Sequence, residues 1–86
     1  MPEFLAETYV PKQGQAVVDA GACRTRTAAE SLTQEGTLVR FVRTIFVPED
    51  ETCFYLFEAS SASVVRDVGE RAGVRFERIA RTVPDL

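Results

Sequence analysis

The chain has 86 residues, enough for one domain (1–86) and a modest core, because a chain this short buries only about 60% of its unfolded surface. Ten basic and thirteen acidic residues give a net charge of −3 with no basic block, which excludes nucleic acid as the main partner. No apolar run approaches the ~20 residues of a bilayer span. Met1-Pro2-Glu3-Phe4 also lacks the basic-then-apolar pattern of a signal peptide, so a soluble cytoplasmic protein without membrane contact is expected.

The elements follow in chain order. Glu3 to Val10 is a strand stopped by Pro11, which cannot donate to a ladder. Lys12 to Gly14 turns the chain. From Gln15 to Glu35 there is no proline, and Val18, Ala22, Ala29 and Leu32 share one helical face, with Gly36 at the stop. Gly21 weakens that helix by up to ~1 kcal/mol against alanine, so its middle is expected to bend or to fit closely against another element. Leu38 to Val47 is rich in β-formers, and Pro48-Glu49-Asp50-Glu51 turns it back into Thr52–Ala59. Ser60 or Ser61 caps a second helix with Val64, Val65, Val68 and Ala72 on its apolar side. Gly73 suits the left-handed position after its end. Val74 to Val83 is the last strand, and Pro84-Asp85-Leu86 a short tail.

The order β-α-β-β-α-β predicts an α+β ferredoxin-like sandwich: a four-stranded antiparallel sheet with two helices on one face. The other face is then open, and strand alternation sorts residues between the two. Phe54 and Leu56 are assigned beneath the helices, with Val74, Phe76 and Arg78 of the last strand. Leu5, Glu7, Tyr9, Phe41, Arg43, Ile45, Tyr55, Phe57, Glu77 and Ile79 are assigned to the open face. A face so apolar predicts a homodimer packed sheet on sheet. Burying about 500 Å² of apolar surface at ~25 cal/mol per Å² exceeds ~10 kcal/mol before association costs.

Glu7, Tyr9, Phe41, Arg43, Tyr55, Phe57 and Glu77 are the candidate ligand-binding residues. A carboxylate, a phenol and a guanidinium facing an apolar cavity can hold a small polar organic ligand such as an aromatic or keto acid. The bland alternative pairs Glu7 with an arginine across the dimer and packs Tyr55 at the interface. A third possibility is a cofactor-free isomerase, cyclase or monooxygenase with Glu7 as base, Arg43 stabilising an oxyanion and Tyr55 as a hydrogen-bonding wall. No catalytic residue is assigned. With no histidine in the sequence, a serine or cysteine nucleophile would lack its usual base. Phosphate-loop and dinucleotide fingerprints are absent, and no cofactor is expected. The turn Glu49-Asp50-Glu51 lacks the spacing of a calcium loop, and its carboxylates are expected to be solvated. Cys23 and Cys53 have no metal-site spacing and read as two small buried hydrophobes.

Phe4-Leu5-Ala6-Glu7-Thr8-Tyr9-Val10, Pro48-Glu49-Asp50-Glu51-Thr52-Cys53-Phe54, Phe57-Glu58-Ala59-Ser60-Ser61, Val65-Arg66, Arg71-Ala72-Gly73 and Glu77-Arg78-Ile79 carry a family likeness. The chain resembles a family of small bacterial ferredoxin-like proteins, mostly of unknown function, that includes the actinobacterial nickel-responsive proteins. The resemblance covers nearly the whole chain and implies a homodimer built on the open sheet face. It implies histidine in the nickel-binding branch about where Arg43 stands, and proline where Ser60 stands. With arginine in that place, nickel does not carry over, and no metal site is assigned. Carboxylates such as Glu7 and Glu77 are the residual metal-binding alternative.

Overall fold

The computed structural model describes residues 1–83; the expected tail at Pro84-Asp85-Leu86 lies outside the described residues. The elements are β1 (Glu3–Tyr9), α1 (Gln15–Gln34), β2 (Val39–Val47), β3 (Thr52–Ala59), α2 (Ala62–Ala72) and β4 (Arg78–Arg81). The sheet order is β2-β3-β1-β4, antiparallel throughout, so the predicted ferredoxin-like sandwich stands. No helix among the described residues is long and apolar enough to cross a membrane.

Local chemistry explains most boundaries. A single 3-10 turn, Pro48–Asp50, joins β2 to β3, and Glu51 closes it in the left-handed region at φ 49°. Glu51 is not simply solvated as expected. Its carboxylate accepts from the Lys12 backbone N–H at 3.0 Å, and its carbonyl accepts from Val10 N–H. The turn thereby holds the end of β1. Gly73 ends α2 at φ 68°, where a side chain would be strained. Ser61 stands at the start of α2, but its hydroxyl meets Ser63 Oγ at 3.1 Å rather than a backbone N–H. The last strand is much shorter than expected, because Val74 to Glu77 run outside the ladder before β4.

The core lies between the helices and one face of the sheet. Phe41, Tyr55, Phe57 and Phe76 form an aromatic cluster with centroid separations of 5.3–5.8 Å. Val18, Leu32, Val65 and Val68 close over it from α1 and α2. Arg71 of α2 grips Glu35 just past α1 through two bonds of 2.7 and 2.8 Å. Cys53 is buried as expected, whereas Cys23 is exposed on α1.

One buried group is unsatisfied. Thr25 on α1 is fully buried, and its hydroxyl has no hydrogen-bond partner among the described residues. An unmade buried hydrogen bond costs about 1–3 kcal/mol, and valine has nearly the same shape and helix propensity. Thr25→Val should therefore stabilise the protein by about 1 kcal/mol and raise the melting temperature by roughly 4–8 °C. Calorimetry checks this; an unchanged or lower midpoint would mean the hydroxyl is satisfied.

Candidate functional site

Residues paired directly across antiparallel strands share a face, so the register defines the surface the helices leave uncovered. One row runs Arg43, Leu56, Leu5, Ala80 across β2, β3, β1 and β4. The next runs Ile45, Phe54, Glu7, Arg78, and a third joins Val47, Thr52 and Tyr9. Arg40, Glu58 and Glu3 form the opposite margin, where Arg40 donates to Glu58 at 3.0 Å. Leu5, Ile45, Phe54 and Leu56 make an apolar centre, each only half-buried.

Three charged side chains punctuate that centre. Glu7 and Arg78 are cross-strand neighbours, and Arg43 lies on the far side of β3. With strands ~4.8 Å apart, Glu7 and Arg43 stand roughly 10–12 Å from each other. None of the three forms an ion pair among the described residues.

The candidate ligand-binding residues divide. Glu7, Tyr9 and Arg43 lie on the open face, as expected from the sequence. Phe41, Tyr55 and Phe57 do not: their exposures are 7%, 2% and 0%, and all three are in the core beneath the helices. Two physical causes account for the difference. In β3 both alternating sets are apolar, and the set carrying the small residues Cys53 and Ala59 is the one the helices can cover. In β2 a bulge between Phe41 and Arg43 changes the phase, so Phe41 points inward while Arg43 and Ile45 point outward. Glu77 is in the segment before β4, where its carboxylate accepts from Tyr9 N–H at 2.9 Å and its own N–H donates to the Glu7 carbonyl. It thus fixes the rim of the face.

In the last strand, Ile79 pairs with Ala6 and packs on the core, while Arg78, expected inside, is exposed opposite Glu7. Phe54, Leu56 and Arg78 are therefore the open-face residues that sequence reasoning missed. The signal for β3 was available, since Thr52 and Glu58 have the same parity as Phe54 and Leu56. The equivalent signal in β2 was Arg40 and Arg43, two arginines of opposite parity that can both reach solvent only across a phase change.

Away from this face, burial pushes the Cys53 thiol up to about 11, so it remains a protonated, unreactive thiol near neutral pH. Burial also pushes the Tyr55 phenol up to about 12, with Cys53 adding to the rise and the Arg24 charge opposing it. Tyr55 cannot serve as a wall of the open face.

The family model described as "Nickel responsive protein SCO4226-like" matches residues 4–81. The chain belongs to this family. Among solved structures, SCO4226 from Streptomyces coelicolor A3(2) is similar with a TM-score of 0.73 and 20% identity, over 98% of this chain and 99% of that one. At that identity the likeness shows the fold. A comparison with curated proteins finds no match.

A nickel-responsive family raises the question whether these residues fit the ion. They do not. Nickel favours imidazole among biological donors, and the sequence has no histidine. No group of three or more Cys, Asp or Glu among the described residues is placed to hold a metal. On the open face Glu7 is flanked by Arg78 rather than by a second donor.

Proposed function

We propose that this member of the nickel-responsive family is a cytoplasmic binding protein that acts as a homodimer, two sheets packed open face to open face, and holds a small organic acid between them. One observation supports it above the others: a half-buried apolar centre of Leu5, Ile45, Phe54 and Leu56 sits on the uncovered side of the sheet, punctuated by the unpaired charges Glu7, Arg43 and Arg78. A twofold-related copy is self-complementary, since one patch that carries both charge signs can face itself. Arginines beside an apolar surface suit a carboxylate on an apolar body. With Tyr55 turned into the core, the enzyme alternative loses its hydrogen-bonding wall, and binding is the better-supported reading.

The test is a thermal-shift screen of aromatic and keto acids alongside Ni²⁺. An organic acid should raise the melting temperature saturably, and Arg43→Ala or Glu7→Gln should abolish that rise while leaving the ligand-free midpoint within a few degrees. A saturable rise with Ni²⁺ that depends on Glu7 and Glu77 would instead return metal binding through carboxylates. No response to any acid, with both variants indistinguishable from the parent, would remove the ligand from the proposal.

A further inference from the structure

The helix side of the sheet carries a second, separate feature. A cavity of about 140 Å³ opens beside the middle of α1, lined by Thr8, Gly21, Arg24, Tyr55, Gly73 and Arg75 among others. None of its lining residues is acidic. Tyr55 is 98% buried, and its hydroxyl makes no hydrogen bond among the described residues; unlike the Thr25 hydroxyl it is not sealed off, so it is the accessible tip of a buried side chain. Gly21 explains how the phenol arrives there: a Cβ at that position would collide with the Tyr55 oxygen. The close fit expected of Gly21 is thus a fit against this hydroxyl.

Arg24 is held in place because its Nε donates to the Ala72 carbonyl at 2.8 Å, at the end of α2. Its two terminal nitrogens, and the whole of Arg75, have no carboxylate partner among the described residues. Two exposed arginines without an ion-pair partner and the tip of a phenol therefore line one small cavity that has no acidic lining residue.

We infer that this cavity is a binding site for a small oxyanion, a carboxylate or phosphate group held by Arg24, Arg75 and the Tyr55 hydroxyl. Guanidinium forks match the paired oxygens of such groups, and their charge-assisted bonds are the strong ones. The volume lies well below the roughly 300–1,000 Å³ of pockets for whole organic ligands, so the site takes a free anion or the head group of a larger molecule. It opens on the helix side, at the end of β1, and shares only Tyr9 with the open face, so the arginines and phenol that define it are distinct from Glu7, Arg43 and Arg78.

The protein offers its own probe. Tyr9 and Tyr55 are its two tyrosines and there is no tryptophan. Tyr9 also lines the cavity, but its hydroxyl is directed to Glu51, so Tyr9→Phe keeps the ring as a wall and leaves Tyr55 as the fluorophore. Thermal shift with the same anions on the parent protein checks that the substitution has not altered binding. Inorganic phosphate and acetate are titrated into that variant at constant ionic strength, with chloride as the control. A saturable change in Tyr55 emission with either anion, larger than chloride's, is expected, and whichever anion saturates identifies the source chemistry. Arg75→Gln should weaken binding about tenfold, the scale of one lost charge-assisted bond. Tyr55→Phe, followed by thermal shift, should weaken it severalfold without unfolding the protein. A response no greater than chloride's for both anions would overturn the site, and so would binding that survives unchanged in Arg75→Gln and Tyr55→Phe.

Discussion

Leu56→Asp is expected to convert a dimer into a folded monomer. Leu56 lies at the middle of the open face, between Arg43 on β2 and Leu5 on β1, and is half-buried in the isolated chain. In the single chain the new carboxylate reaches water, so stability should change by about 1 kcal/mol or less. In a sheet-on-sheet dimer the same carboxylate is desolvated at the centre of the contact, together with its twofold copy. A penalty of at least ~3 kcal/mol is then expected, which weakens association more than about a hundredfold. Sedimentation velocity on the variant beside the parent reads the difference. A dimer that survives the substitution would place the interface elsewhere on the molecule.

Phe57→Ala is expected to be the most destabilising single truncation. Phe57 has no exposed surface and its ring packs between Phe41 at 5.4 Å and Phe76 at 5.8 Å. Phenylalanine-to-alanine changes in cores cost about 3–5 kcal/mol, whereas a domain of this size holds only about 4–13 kcal/mol in total. The melting temperature should fall by about 15 °C or more, to the point of unfolding if the parent is marginal. Phe54→Ala, on the opposite face of the same strand, should cost the isolated chain less, because its ring is only partly buried. Urea unfolding of the two variants decides the orientation of β3. A larger loss in Phe54→Ala would restore the orientation expected from alternation alone.

The architecture was legible because its signals are backbone signals. Pro11, the Pro48 turn, Gly36 and Gly73 punctuate the chain whatever packs around it, and the order of elements follows from them. The site was less legible because a face assignment depends on phase. Thr52–Ala59 places large apolar residues on both sides of one strand, so hydrophobicity does not distinguish them; the polar residues Thr52 and Glu58 do. The bulge in β2 has no glycine or proline to mark it and is visible only in the opposing parity of Arg40 and Arg43. Glu7 and Arg43 reached the open face, while Tyr55 and Phe57 went to the core that the same alternation reserves for their neighbours. The hydroxyl of Tyr55 had no sequence signal beyond Gly21, which foretold a close approach without naming what approaches.

Native mass spectrometry of gently purified protein, prepared without an affinity-metal step, tests the central claim that a second copy covers the open face. The expected species has twice the 9.5 kDa mass of one chain, with additional organic mass that denaturation releases. A species of single-chain mass at every concentration would contradict the dimer and the ligand site built between its sheets.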